Sequence, residues 1–249
     1  MARRGATGKL RIGVAGWSIP RSCSDRFDAG DSVLARYATR LSAVEVNSSF
    51  YRPHRRETWA RWAGTVPAGF RFSVKMPGTL SHELGLRGAG PALDRFLGEV
   101  DGLGRKLGGL LLQLPPGLTY DGRTAATFFA LLRRRTDVAV TCEPRHASWF
   151  GPAADALLRR HRISRAAADP ARLPAAAVPG ADPGWAYYRW HGSPRMYYSA
   201  YDDAALAALA AQVRASATGR RPVWVIFDNT AHGAAVDDAL RLQALLGAD

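Results

Sequence analysis

Seven short apolar runs recur along this chain, and each ends in a charged or amide side chain. They are Ala43 to Asn47, Phe70 to Lys75, Gly109 to Gln113, Val138 to Glu143, Ile163 to Asp169, Ala186 to His191 and Val223 to Asp228. An eighth run, Leu10 to Gly16, opens the series and ends in small residues. Strands that are apolar along their length and polar at the C-terminal tip fit a parallel barrel, whose chemistry gathers at one mouth. The pattern thus predicts an architecture and a site together.

Amphipathic segments fill the gaps. They run over 32–39, 57–65, 91–107, 124–135, 153–161, 202–217 and 237–246. Parallel neighbours need a crossover, and these helices supply it. The expectation is an α/β fold, a single (β/α)8 TIM-type barrel over residues 10–249, for which 249 residues is the usual size. Residues 1–9 read as a flexible basic tail without the apolar core of a signal peptide. No apolar stretch nears the roughly 20 residues of a membrane span, and two cysteines give no disulfide framework. The expected setting is cytoplasmic, with no membrane partner.

The net charge of +13 favours polyanions and phosphorylated substrates. Nearly all of it is arginine in a chain rich in Ala, Gly and Pro, so compositional bias is the plainer source. Nucleic acid therefore stays one candidate partner beside an anionic small molecule.

Side chains alternate between the two faces of a strand. Taking the polar tips as inward, one mouth collects Glu45, Asn47, Lys75, Gln113, Glu143, Arg145, Asp169, Arg189, His191 and Asp228. Val44, Val46, Phe72, Val74, Leu112, Cys142 and Phe227 then pack under the helices, which leaves the Cys142 thiol away from the site. So many buried charges must pair with one another.

These tips lie in longer motifs. Val44-Glu45-Val46-Asn47-Ser48-Ser49-Phe50-Tyr51, Gly69-Phe70-Arg71-Phe72-Ser73-Val74-Lys75 followed by His82, Leu112-Gln113-Leu114-Pro115-Pro116, Glu143-Pro144-Arg145-His146-Ala147-Ser148-Trp149-Phe150, Arg189-Trp190-His191-Gly192 and Phe227-Asp228-Asn229-Thr230 occur in order. In these the chain resembles the YecE-like family, domain of unknown function 72, over nearly its whole length. The resemblance implies a TIM-type barrel and brings no activity with it. Two departures stand out: the Trp17 to Gly30 loop is short, and Asp238 precedes Ala239-Leu240 where the family usually carries Asn.

Three chemistries compete for the mouth. Glu45 and Glu143 are acid/base candidates, with His191 beside them. Alternatively they are structural ion pairs, Glu45 with Arg189 or Lys75 and Glu143 with Arg145. Retaining glycosidases place carboxyl groups about 5 Å apart, often on strands four and seven. Here those strands end in Gln113 and His191, which weakens that reading. A divalent metal is the second option, since His82, His191, Glu143, Asp169 and Asp228 are competent ligands; Lys75, Arg145 and Arg189 oppose it, and no cofactor is predicted outright.

The third option is an anion pocket held by Lys75, Arg145 and Arg189. The loops from Gly192 through Arg195 to Tyr198, and from Asp228 and Asn229 to Gly233, would add donors where this fold often binds phosphate. Tyr51, Trp149 and Tyr198 are candidates for stacking on a ligand. The leading expectation is an enzyme, hydrolase- or phosphodiesterase-like, on an anionic phosphate-bearing substrate, with nucleic acid or a nucleotide favoured. A non-catalytic nucleic-acid-binding barrel and a metal-dependent sugar-processing barrel are the alternatives.

Overall fold

The apolar runs form strands because they are buried on both faces, one toward the barrel axis and one toward the helices. The computed structural model describes residues 10–217 and 221–247. The expected tail, Met1 to Lys9, lies outside the described residues. The first half reads β1 (Leu10–Ala15), α1 (Val33–Tyr37), β2 (Ala43–Val46), α2 (Ser48–Tyr51), α3 (Arg56–Thr65), β3 (Arg71–Lys75), α4 (Gly90–Val100) and β4 (Leu107–Leu114). Then come α5 (Gly122–Arg133), β5 (Val140–Pro144), α6 (Pro152–Arg160), β6 (Ile163–Arg165), β7 (Ala167–Asp169) and β8 (Gly180–Ala181). The chain closes with β9 (Ala186–Trp190), α7 (Asp203–Ser216), β10 (Val223–Phe227) and α8 (Ala234–Leu246).

Helix starts follow local chemistry. Ser32 Oγ accepts from Ala35 N–H, Asp121 caps α5 and Asp202 caps α7, while Pro152 opens α6 where its missing N–H costs nothing. The amphipathic segment expected over 91–107 ends as a helix at Val100. It passes into a 3-10 stretch in which Gly104 takes φ +49° before β4 begins.

The strands pair in the order β7-β9-β10-β1-β2-β3-β4-β5-β6-β8. All of these ladders are parallel except that of β8, which lies antiparallel on β6. β6 and β7 are two halves of the run expected from Ile163 to Asp169. The first half pairs with β5 and the second with β9, so this one segment closes the ring. The expected TIM-type barrel is therefore observed. The stretch from Pro170 to Gly184, whose Pro, Ala and Gly content reads as a long loop or a loop with a short helix, carries a 3-10 turn at Pro174–Ala176 and β8.

The barrel interior changes character along its axis. Its N-terminal end is aromatic: Trp185, Tyr187 and Trp224 pack with Ala43, Ala166 and Ile226. Gly109 permits this, because a Cβ there would sit 2.2 Å from the Trp185 ring. Toward the C-terminal end the interior becomes polar, through Ser73, Thr141, Glu45 and Arg189, all fully buried. Among the described residues no helix is long and apolar enough to cross a membrane.

Candidate active site at the barrel mouth

Arg189 stands at the centre of the mouth with none of its surface exposed. β9 holds it on the axis, at the inward position between Tyr187 and His191. Its Nε donates to Glu45 Oε2 at 3.0 Å and its Nη2 to Glu45 Oε1 at 2.7 Å. Nη1 donates to Glu143 Oε2 at 2.5 Å and Nη2 to Asp228 Oδ2 at 3.0 Å. One guanidinium from β9 thus binds carboxylates from β2, β5 and the tip of β10. Burial disfavours its charge, yet Glu143, Glu45 and Asp228 outweigh that and lift its pKa well above the ordinary value.

His191 sits one layer above. Its Nδ1 lies 3.0 Å from Asp228 Oδ2, and its Nε2 lies 3.0 Å from Glu143 Oε1 and 2.9 Å from Arg145 Nη2. Arg145 completes the cluster with an ion pair to Glu143 Oε1 at 2.5 Å. Burial pushes the Glu143 carboxyl up, but Arg189, Arg145 and His191 together hold it well below the usual carboxylate range. Asp228 is lowered in the same way, against its burial, by Arg189, His191 and Lys75. Both are anions at neutral pH, which removes Glu143 as a general acid.

Several expectations are met in place. Glu45, Lys75, Glu143, Arg145, Arg189, His191 and Asp228 converge on one mouth. Gln113 Nε2 reaches Glu143 Oε2 at 3.3 Å, and Asn47 Nδ2 lies 3.5 Å from Asp228 Oδ1. Both structural pairs weighed from the sequence also exist, Glu45 with Arg189 and Glu143 with Arg145. The expectation that Arg189 grips an incoming anion is corrected. All three of its nitrogens already donate to buried carboxylates.

Asp169 is also corrected. Ala166 faces the barrel axis, and Ala167 packs outward with the helices. Strict alternation then turns Asp169 outward, where it accepts from Tyr201 Oη at 2.7 Å. The donors expected in the two loops are committed as well. Gly192 N–H donates to Tyr201 Oη at 2.8 Å, and Asn229 Nδ2 donates to Ser199 O at 2.9 Å and Asp238 Oδ2 at 2.7 Å. Gly192 has φ +94°, and a Cβ there would sit 2.8 Å from Ser199 O. These residues shape the loop rather than line the mouth. Asp238, the departure noted in the sequence, lies fully buried under the same loop and also accepts from Tyr201 N–H.

The aromatic candidates divide. Trp149 is buried, with Nε1 donating to Leu118 O at 2.9 Å and its ring against Tyr120. Tyr51 is 81% exposed and packs on Phe50, outside the mouth. Arg195 and Tyr198 are exposed and stack on each other, 4.0 Å from guanidinium carbon to ring centre. His82 is exposed, with Nδ1 2.9 Å from Ser81 Oγ and its ring edge-to-face on Phe50. Burial, then Lys75, lower its pKa.

Sequence reasoning gave no role to Tyr187 and no particular contact to Ser73 or Tyr197. Tyr187 donates to Glu45 Oε2 at 2.8 Å and lies 2.8 Å from Ser73 Oγ. Both Tyr187 and Ser73 share the inward parity of the polar tips, so the alternation itself carried the signal. Tyr197 packs its ring edge-to-face on His191 at 5.8 Å. It reaches there from a loop, with φ +70°, where no periodicity points.

Glu143, His191 and Asp228 hold the guanidinium groups of Arg189 and Arg145 and one another. Arg189 occupies the point where the carboxylates meet, and among the described residues no group of three or more His, Cys, Asp and Glu is arranged to hold an ion. Beside the mouth, between the turn after β3 and the loop after β4, a cavity of about 520 Å³ is lined by His82, Arg87, Leu118, Asp121 and Trp149 among others.

Parallel closure, an aromatic floor and a polar C-terminal mouth define a TIM-type barrel. The chain matches the family described as "Protein of unknown function DUF72" over residues 11–249, and it belongs to that family. It is 33% identical over 106 residues to UPF0759 protein YecE of Escherichia coli (strain K12), covering 43% of this chain and 38% of that protein. It is 26% identical over 149 residues to UPF0759 protein YunF of Bacillus subtilis (strain 168), covering 57% and 53%. The chain thus aligns with only about two fifths to half of these curated relatives. Among solved structures, a DUF72 family protein of Enterococcus faecalis V583 superposes with a TM-score of 0.81 at 22% identity, covering 97% of this chain and 96% of that one. One from Thermotoga maritima MSB8 gives 0.79 at 22%, covering 96% and 99%. At such identities the likeness concerns the fold.

Proposed function

We propose that this barrel is an enzyme acting on a small anionic substrate, phosphate- or carboxylate-bearing, at its C-terminal mouth. One observation carries the reading. Two cations at the rim, Lys75 and Arg145, keep donors that the protein does not use. Lys75 Nζ has no hydrogen-bond or ion-pair partner among the described residues, and Arg145 Nε is buried without one. For Arg145 Nε, a buried unpaired donor costs about 1–3 kcal/mol, which an incoming anion would recover. Arg145 is the geometric grip and Lys75 the second positive contact.

His191 is the proton carrier in this reading. An imidazole can both give and take a proton, and Asp228 and Glu143 fix both ring nitrogens of this one. Glu143 and Glu45 act by position: Glu143 orients the ring and both hold the guanidinium. The adjacent cavity offers room for the rest of the substrate.

A small substrate is favoured over nucleic acid because the unused donors lie together in the mouth, while part of the surface charge is paired locally. Arg26, Arg56, Arg95, Arg135, Arg162 and Arg241 pair with acidic side chains. The test is a turnover screen across phosphate monoesters, phosphodiesters, sugar phosphates and oxo acids. Against a substrate so found, His191→Asn lowers kcat with little change in KM, whereas Arg145→Ala raises KM. Full turnover by His191→Asn overturns the assignment.

A further inference from the structure

We propose that Lys75 is a covalent amine nucleophile, forming an imine with a substrate that carries both a carbonyl group and an anionic group. The inference rests on the reading of the mouth as an anion site and names the substrate class within it.

The sequence gives the first argument. The chain holds 31 arginines and only three lysines, Lys9, Lys75 and Lys106. Where this protein needs a permanent cation it uses arginine almost without exception. Arginine stays protonated in proteins and cannot attack a carbonyl, whereas a lysine amine can. Lys106 has a structural use, donating to the backbone carbonyls of Val66 and Pro67. Lys9 lies outside the described residues. Lys75 ends β3 at the inward position of the mouth and has no such use.

Its surroundings give the second argument. Lys75 is 7% exposed, and its Nζ sits 4.1 Å from the centre of the Phe50 ring, a cation–π contact that supplies no lone-pair acceptor. The charged groups facing it are Arg189 from β9, Glu45 from β2, Glu143 from β5 and Asp228 after β10. Each of those carboxylates is already bound by Arg189, Arg145 or His191. No salt bridge therefore fixes the ammonium. Burial, then Arg189, push its pKa below the ordinary lysine value, against the pull of the three carboxylates. A larger share of free amine follows.

The chemistry balances without an oxidant or reductant. The free amine of Lys75 adds its lone pair to the carbonyl carbon, and the C=O π electrons move to oxygen. One amine proton passes to that oxygen to give a carbinolamine. A proton from His191 or solvent converts the hydroxyl to leaving water, and the nitrogen lone pair closes the C=N bond. The iminium carries the positive charge that the ammonium carried, so the carboxylates facing it stay matched. Arg145 holds the anionic end.

The experiment uses the full chain with sodium cyanoborohydride and either glycolaldehyde phosphate or its neutral counterpart, glycolaldehyde. Peptide mapping by mass spectrometry locates any secondary amine. The expected result is alkylation of Lys75 by the phosphorylated probe ahead of Lys9 and Lys106, about tenfold or more faster, because the mouth concentrates the anionic probe at Lys75. The neutral probe reacts there more slowly by a similar factor, and inorganic phosphate protects. Lys75→Arg abolishes the label, but the wild-type map alone decides the case. If phosphate binds the wild type and Lys75 stays unlabelled, the imine is overturned and the anion site stands. If the charged and neutral probes label Lys75 equally and phosphate gives no protection, the anion-site reading fails and the substrate class falls with it.

Discussion

Arg189 and Glu45 form a two-point ion pair across the barrel axis, with Nε–Oε2 at 3.0 Å and Nη2–Oε1 at 2.7 Å, and neither is exposed to solvent. It ties β9 to β2, two strands that are not sheet neighbours. The same guanidinium reaches Glu143 and Asp228, so one side chain compensates three buried negative charges.

Removing that cation is the costliest change available in the mouth. Arg189→Met leaves the buried carboxylates partly uncompensated and is expected to lose about 3–5 kcal/mol of unfolding free energy. Arg189→Lys fails to restore it, because an ammonium cannot supply the fork that Glu45 accepts. Urea unfolding monitored by tryptophan fluorescence measures both. A loss under about 1 kcal/mol for Arg189→Met contradicts this account.

Acid should unlock the same cluster. Glu143 and Asp228 have folded pKa values below their unfolded ones. Their stabilisation is fully present above the ordinary carboxylate range, about pH 4, and disappears as pH falls through the depressed native values. Denaturant midpoints should thus hold steady from neutrality to about pH 5 on their account and drop below pH 4. Asp228→Asn should flatten that drop while lowering stability at pH 7.

Asp238 behaves with the opposite sign. Burial raises its carboxyl above the ordinary value despite donors from Asn229, Tyr201 and Arg241. The folded state therefore holds its proton more tightly, and its contribution is best at low pH and worsens as pH rises through the raised value. Relative to wild type, Asp238→Asn should be more favourable at pH 7 than at pH 4. Equal effects at both pH values would contradict the assignment.

The loop after β9 hangs on Tyr201. Its hydroxyl donates to Asp169 and accepts from Gly192 N–H. Tyr201→Phe leaves both groups without that partner and is expected to cost about 1–3 kcal/mol. Hydrogen exchange should accelerate at Gly192 while the β4 and β5 amides keep their protection.

The architecture was legible because parallel strands buried on both faces leave a distinctive run of apolar residues, here ending in Glu45, Lys75, Gln113, Glu143 and His191. Alternation then placed most of the mouth correctly. It failed at Asp169, where the run before it is Ala166-Ala167-Ala168. Three alanines carry no face preference, so the polar tip was assigned inward, while pairing with β5 and β9 turned it outward. It also could not reveal that Arg189 is spent inside the protein. Position follows from periodicity, but saturation of donors depends on which carboxylates the other strands bring to the same point. The contact of Tyr197 with His191 was out of reach for a third reason, since loop residues with positive φ follow no period.

The most direct test is a calorimetric titration of inorganic phosphate at physiological ionic strength into wild type, Arg145→Ala and Arg195→Ala. The account predicts saturable binding, weakened about tenfold or more by Arg145→Ala, as expected for a lost charged hydrogen bond. Arg195→Ala, which alters an exposed side chain stacked on Tyr198, should leave it unchanged. Binding that ignores Arg145→Ala, or that vanishes steeply with salt in all three proteins, would place the anion on the basic surface and contradict the mouth as the site.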